Sequence, residues 1–329
     1  MRILVLGGTV FLGRHVAAAA LARGHDLTLF TRGVHGTDLF PEATRLVGDR
    51  AGDLSALAAG EWDAVIDTSG FQAEHVGRVC ELLADRIGHY VFVSSCNAYP
   101  AWPEEDVDED SPTWQSDDDE YGPQKAASER AAEAALPGRF ATVRAGLICG
   151  PHDNVFRLPW WVKRIARGGR VPSPAPDRPV QLVDARDLAA WMIGLGERRT
   201  AGAFNGTSPP NRQTWGEVLD AAAAATGADV EFVWLSDEQL QAAEVEPWME
   251  LPLWIPAAAA PGTWQIGTER AQATGLRCRP IAETVADVWA WLRDGGESEL
   301  DEWRSEHRPR PMSEERERAV MGTLPSHRA

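Results

Sequence analysis

A tyrosine and a lysine four residues apart, in the stretch YGPQKAASE from Tyr121 to Glu129, have the types and spacing to do acid–base chemistry. The 329-residue chain has only three tyrosines, and this one directly follows the acidic run DDDE. A phenol with a free pKa near 10 is a poor proton carrier at neutral pH. Lowering it by about 3 units takes roughly 4 kcal/mol of differential stabilisation. A lysine one helical turn on points to the same face, and its positive charge favours the phenolate. The pair fits a general base that removes a hydroxyl proton. Gly122 and Pro123 suit the first turn of a helix, where a missing N–H costs little. The plain alternative is an aromatic and a cation at the start of a surface helix. YxxxK alone does not separate the two.

The elements that would position the pair make the difference. HYVFVSSCNAYP reads as a strand ending in two serines, the second 26 residues ahead of Tyr121. A hydroxyl there can hydrogen-bond a substrate oxygen. At the N-terminus, RILVLGGTVFLGRH sets a glycine turn between a strand and a helix. Gly7 allows the tight turn and Gly13 allows close helix–sheet packing. The backbone N–H groups of Thr9, Val10, Phe11 and Leu12 lie where a pyrophosphate would be held. RILVL, DLTLF, TRLVG, DAVIDTS, HYVFVSS and ATVRAGL are short apolar runs separated by helical segments, the first being LGRHVAAAALARG, which ends at Gly24. They predict an α/β fold, a doubly wound parallel sheet of Rossmann type covered on both faces.

Together these motifs resemble the extended short-chain dehydrogenase/reductase family, its epimerase/dehydratase-like branch. The family pattern TGxxGxxG is altered here, with Leu6 for the threonine and Val10 for the middle glycine. GGTxFLG is similar instead to an atypical subgroup that includes the chloroplast stem-loop-binding proteins. The resemblance covers about residues 1–295, with the specific motifs in the first 150. It implies a catalytic set of Ser95, Tyr121 and Lys125, because the family serine lies four residues before a strand-end tyrosine, here Tyr99. Ser94 is the fallback. It also places Asp49 beside the adenine and Thr68 and Ser69 beside the nicotinamide ribose, with Arg50 a further cofactor-binding residue. With hydride leaving to a nicotinamide cofactor, the tyrosine would act at a secondary alcohol or ketone carbon.

The end of the second strand chooses between cofactors. An acidic residue there would bind the ribose 2′-OH of NAD. LFTRG offers Thr31 and Arg32, a hydroxyl and a guanidinium that suit a 2′-phosphate. NADP(H) is the expected cofactor and NAD(H) the alternative.

Past residue 150, prolines and tryptophans crowd in (RLPWW, VPSPAPDRP, EPWMELPLWIP), which predicts a smaller, partly irregular substrate domain over 151–295. Segments near 180–206 would complete the dinucleotide-binding domain of 1–150. Thr214 with Glu217, and Ser236 with Gln239, are capping-box pairs that open helices there. Residues 296–329 read as a charged surface extension. The segment Glu104–Glu120 holds ten Asp or Glu and no Lys or Arg, and reads as a solvated loop rather than a metal site. WWVKRIARGGR reads as an amphipathic helix with a solvated basic face.

For substrate, Cys96, Asn97, His152 and Arg157 are the candidates, with Asp153 a second acid–base partner for His152 and Trp160, Trp161, Trp248 and Trp254 as pocket walls. Sugar-nucleotide dehydratases of the resembled family carry Asp-Glu after the serine, where this chain has Cys96 and Asn97; 4,6-dehydration is disfavoured. Val180 stands where that family places a diphosphate-clamping arginine, with Arg178 two residues away. These features favour a reductase or dehydrogenase on a neutral or modestly polar small molecule. A redox-neutral epimerase of sugars or sugar nucleotides is the alternative within the family.

The formal net charge of −17 disfavours nucleic acid and anionic membranes as partners. That argues against an RNA-binding role, the rival suggested by the subgroup. A dinucleotide sensor without catalysis would be expected to lose Tyr121 or Lys125. No apolar run reaches the length of a membrane span, and no metal-ligand spacing joins the four cysteines. The chain reads as a cytoplasmic enzyme. The resemblance implies a homodimer through the Tyr121 helix, whose AASERAAEAAL face is small and apolar.

Overall fold

The first half of the chain alternates strands with helices. The strands are β1 (Arg2–Leu6), β2 (Asp26–Thr31), β3 (Thr44–Val47), β4 (Trp62–Asp67), β5 (Ile87–Ser95) and β6 (Phe140–Ala145). The helices are α1 (Phe11–Ala22), α2 (Ala73–Leu83), α3 (Tyr121–Ala135), α4 (Arg157–Ala166) and α5 (Ala185–Arg198). In this computed structural model the described residues are 1–100, 107–260, 262–300 and 309–322. The six strands and Gly202–Gly206 form one seven-stranded sheet, in the order 202–206, β6, β5, β4, β1, β2, β3. Every pairing is parallel. A parallel sheet needs cover on both faces, which explains the unbroken apolar runs of its central strands. Alternation along β1 divides the cover. Ile3 and Val5 join Val16 and Ala20 of α1 and Leu188 and Met192 of α5. Leu4 and Leu6 join Val76, Val79 and Leu83 of α2 and Ala132 of α3. From β1 the chain winds one way to β2 and the other way to β4. The crevice at this reversal, past the carboxyl ends of the strands, is where an open α/β sheet takes a ligand.

A second core gathers the C-terminal aromatics. Trp161, Trp215 and Trp254 are fully buried there with Leu219, Val285 and Val288. Their polar edges are satisfied where the chain folds back: Trp161 donates to Pro252 O at 2.8 Å and Trp254 to Asp237 Oδ1 at 2.9 Å. Both capping boxes form, at Thr214 with Glu217 and at Ser236 with Gln239. The first opens the helix Trp215–Thr226, which stops at Gly227 in the left-handed region.

Three surface readings change. Of the charged extension, 301–308 and 323–329 lie outside the described residues, but 309–322 is docked rather than free. Met312 and Val320 enter the second core, and Glu317 of the helix Glu314–Gly322 pairs with Arg164 at 2.7 Å, both side chains buried. Arg164 of α4 is therefore not part of a solvated basic face. The acidic segment is not wholly solvated either. Its residues 104–106 lie outside the described residues, and Glu109 is buried, accepting from Asn205 N at 2.8 Å. Gln124 and Arg130 of α3 hold the carbonyls of Asp117, Asp118 and Trp114. All four cysteines are free thiols. Among the described residues no helix is long and apolar enough to cross a membrane.

Candidate active site

One cavity of about 1760 Å³ runs along the carboxyl ends of the sheet and under the tryptophan-rich segment. Its floor begins at the glycine turn. Gly7 has φ +87°, and a Cβ there would stand 2.7 Å from Ser69 Cβ. A Cβ on Gly13 would stand 2.0 Å from the Gly7 carbonyl oxygen, a backbone atom that cannot yield. Thr68 ties the turn to β4, its hydroxyl donating to Leu6 O at 3.0 Å and placed 3.2 Å from Gly7 O. Val10 occupies the N-cap of α1 and supplies no side-chain acceptor to the first-turn N–H groups. Thr9, Val10, Phe11, Leu12 and Gly13 all line the cavity. An uncapped helix start facing a cleft, with no room for side chains at the turn, fits a dinucleotide pyrophosphate.

At the end of β2, Thr31 and Arg32 line the same cavity. Thr31 Oγ1 accepts from Gly33 N at 3.3 Å. Arg32 is exposed and makes no ion pair or side-chain hydrogen bond among the described residues. Asp49 lines the cavity and turns its carboxylate onto Ala51 N at 3.0 Å. Arg50 is in the cavity wall but committed elsewhere. It grips Asp67 with two hydrogen bonds of 2.8 Å and reaches Ser69 Oγ at 3.1 Å. Asp67 is fully buried and also accepts from Tyr90 at 2.6 Å. Burial alone would raise its carboxyl. The Arg50 guanidinium and the Tyr90 hydroxyl outweigh that and hold it below the usual carboxylate range. Arg50 and Ser69 thus brace the floor beneath the site. Sequence reading missed Asp67 and Tyr90, which carry no motif.

Tyr121 is the first residue of α3 and Ser95 the last of β5, and both line the cavity with Lys125. The start of α3 presses hard on the strand end: a Cβ on Gly122 would lie 2.3 Å from Asn97 O. Tyr121 keeps 45% of its surface accessible, because it opens into the cavity, while protein walls it on the other side. Burial pushes its phenol above the ordinary value; Ser95 hydrogen bonding and the charge of Arg157 pull it part of the way back. Lys125 is 3% exposed. Its ammonium donates to Gly70 O at 2.5 Å and Val93 O at 2.9 Å, and desolvation brings its pKa down to about 8. Ser94, the fallback, is already spent: its hydroxyl donates to Glu129 Oε1 at 2.5 Å. Ser95 Oγ accepts from Asn97 N at 3.1 Å and remains beside the cavity, within reach of Tyr121.

Behind the serines lies a buried polar chain. Glu129 pairs with Arg144 at 2.8 Å, Arg144 donates to the Tyr99 hydroxyl at 3.0 Å, and Tyr99 donates to Asn205 Oδ1 at 2.7 Å. It locks β5, β6 and α3 together behind the site. Glu129 was missed, although it continues the four-residue step from Tyr121 and Lys125. The small residues Ala126, Ala127 and Ala132 of α3 are already buried within the chain.

The substrate half of the cavity keeps two of the four candidates. Asn97 and Arg157 line it. Arg157, from the first turn of α4, faces the Trp248 ring at 5.8 Å and makes no ion pair or side-chain hydrogen bond among the described residues. Cys96 is not in the wall. It is 1% exposed, with its thiol on Arg144 O at 3.3 Å, and burial pushes it up to about 12. His152 is not there either. It sits in a left-handed turn with φ +65°, its ring against His15 and Trp291. Asp153 is buried and spends its carboxylate on Val155 N and Phe156 N at the start of α4; burial raises it to about 6. The two therefore form no acid–base pair at the cavity. Of the four tryptophans, Trp248 reaches the wall; Trp264, Asn154, Gln181 and Thr207 complete it and carried no sequence signal. Arg178 pairs with Asp237 and donates to Ile255 O at 2.6 Å, outside the wall, so no diphosphate clamp forms there. Among the described residues no cluster of His, Cys, Asp and Glu could hold a metal ion.

The sequence profile of the NAD dependent epimerase/dehydratase family matches residues 3–205. Chloroplast stem-loop binding protein of 41 kDa b from Arabidopsis thaliana is 26% identical over 69% of this chain, a match that spans 63% of the plant protein's length. Human epimerase family protein SDR39U1 is 28% identical over 69% of this chain and 81% of its own. Among solved structures, the Bordetella bronchiseptica enzyme WbmH in complex with NAD+ superposes with a TM-score of 0.67 at 20% identity, covering 90% of this chain and 99% of that one. The likeness shows a shared fold.

Proposed function

This chain belongs to the NAD dependent epimerase/dehydratase family, and from that premise we propose that it is an NADP(H)-preferring oxidoreductase acting at a secondary alcohol or ketone carbon of a small molecule. One observation carries the reading: Tyr121, Ser95 and Lys125 meet in a single cavity that also contains the glycine turn. Gly7, the first turn of α1 and Gly13 would hold the pyrophosphate; Thr31 and the unpaired Arg32 would take a 2′-phosphate. When bound, the nicotinamide ring supplies the hydride donor or acceptor. The residues of this chain do the rest. Ser95 holds the substrate oxygen. Tyr121 exchanges a proton with that oxygen at its hydroxyl. Lys125 places a buried positive charge beneath the same oxygen and orients the groups above it.

The upward shift of Tyr121 favours the reductive direction. A phenol held in its protonated form is poised to donate to a ketone oxygen as the hydride arrives at carbon. Arg157, which lines the cavity beside Trp248 and feels the buried Asp153 without forming an ion pair with it, revises the expectation of a neutral substrate and supports one that carries a negative group near the ketone. A redox-neutral epimerase is the second reading, supported equally by the family match. It would retain its cofactor through purification, whereas a reductase would release it.

The test is NADPH oxidation over a panel of small ketones with and without a carboxylate. Turnover of carboxylated ketones that falls at least 100-fold in Tyr121→Phe supports the reading. Equal turnover in Tyr121→Phe, or none over the whole panel by a protein that binds NADPH, contradicts it.

A further inference from the structure

The cavity wall that carries Trp248 and Met249 is built in a costly conformation. Glu244, Trp248 and Leu253 all have positive φ, at 53°, 64° and 68°. Side chains other than glycine and asparagine rarely stay in the left-handed region unless the surroundings hold them there. Part of the holding is internal, with Val245 N donating to Leu240 O and Trp248 N to Trp254 O, both at 3.0 Å; the rest comes from residues 309–322, far outside the span matched by the family profile. Met312 N donates to Glu250 O at 3.1 Å. Arg316 grips the Glu250 carboxylate at 3.0 and 3.2 Å. The same guanidinium donates to Ala243 O at 2.8 Å and Glu244 O at 2.9 Å. The Glu250 carboxylate in turn accepts from Glu246 N at 3.0 Å, closing the loop on itself. The strap is anchored at its far side by the buried Arg164–Glu317 pair and by Met312 and Val320 in the second core.

We propose that residues 309–322 are a positioning strap for the substrate wall. Arg316, acting through Glu250, fixes the loop 243–251 so that Trp248 and Met249 face the cavity, with Trp248 6.1 Å from the Trp264 ring and beneath Arg157. A planar guanidinium bonded to one carboxylate and two carbonyls sets both ends of that loop at once, which a point charge does not. Among the described residues no hydrogen bond or ion pair joins the strap to the glycine turn, so it governs substrate and leaves the dinucleotide end alone. The inference rests on the functional reading above only for what the wall binds; the mechanical claim stands apart from it.

The test uses the full chain and its Arg316→Ala, Glu250→Ala and Arg316→Lys variants. Backbone hydrogen exchange reads the mechanical claim. Both alanine variants should exchange at least tenfold faster over 243–254, with β1, β4 and β5 unchanged and NADPH affinity within about twofold. Arg316→Lys should recover part of the protection. For the panel ketone reduced fastest, KM should rise about tenfold in the alanine variants while kcat stays within about threefold. Unchanged exchange over 243–254, or loosening spread evenly over the sheet, overturns the strap. If no ketone turns over, the functional reading fails while the exchange result still decides the strap.

Discussion

Lys125 and Tyr121 lie one turn apart on α3, yet the ammonium turns down into the sheet: it donates to the Gly70 and Val93 carbonyls and stands 5.7 Å from the centre of the Tyr121 ring. The spacing alone suggested a lysine that lowers the phenol pKa directly. Instead the groups that favour the Tyr121 phenolate are Ser95 and Arg157, and burial outweighs them. Lys125 is a cation stored beneath the site, desolvated and close to losing its proton.

A pH dependence follows. Lys125 is charged below about 8 and neutral above it. Reductive kcat/KM should therefore fall as pH rises through about 8, and the fall should vanish in Lys125→Met, whose rate is lower throughout. The stability sign runs the other way. From about 8 to the free-lysine value near 10.4, the unfolded chain holds a proton that the folded chain has lost. The contribution of this group to stability therefore rises with pH across that window. Urea midpoints of wild type and Lys125→Met, compared at pH 8 and pH 10, check it: the gap should shift in favour of wild type at the higher pH.

Gly13→Ala should damage both fold and cofactor binding. The added Cβ meets the Gly7 carbonyl at 2.0 Å, and relief requires α1 to move off the turn. Overpacking of this kind costs about 1–3 kcal/mol. A lowered thermal midpoint together with NADPH affinity weakened at least tenfold is the expected result. The companion Gly24→Ala, at a glycine with open space but φ +73°, should lose stability and keep its affinity.

Arg32→Ala should weaken NADPH by about tenfold or more and leave NADH nearly unchanged, because the guanidinium has no structural partner to lose. Parallel titrations of the two cofactors decide it. Equal loss for both would place Arg32 outside the 2′-phosphate site.

Breaking the Glu129–Arg144 pair should be severe. Both side chains are buried, and removing one partner strands the other, at about 3–5 kcal/mol. Glu129→Gln should also weaken the Ser94 hydrogen bond, an ionised acceptor becoming an amide oxygen, and disturb the end of β5 beside Ser95. Chemical denaturation of Glu129→Gln and of the double variant Glu129→Gln/Arg144→Met, the latter losing less than the sum of its singles, checks the coupling.

Much of this was legible in the chain itself. Period, glycine turn and capping boxes were local signals, so the sheet, α1 and the helix Trp215–Thr226 could be read from neighbouring residues. Tyr121, Lys125 and Ser95 were legible because a strand end and a helix start each announce themselves. The failures share a cause. Cys96 and His152 look reactive in a string, but one is a strand-end side chain turned into the core and the other sits in a turn facing Trp291. Arg50, read as a cofactor-binding residue, is held by Asp67, 17 residues on. The docked tail is tied through Arg164–Glu317 and Arg316–Glu250, partners 153 and 66 residues apart, which charge patterning cannot pair.

The central claim is that this cavity holds a nicotinamide dinucleotide over Tyr121. Titration of the purified protein with NADPH and NADH, followed by tryptophan fluorescence or calorimetry, tests it most directly. Saturable one-to-one binding that favours NADPH, is kept in Tyr121→Phe and is lost in Gly13→Ala is the predicted result. Binding of neither dinucleotide by a protein that carries none from purification would contradict it.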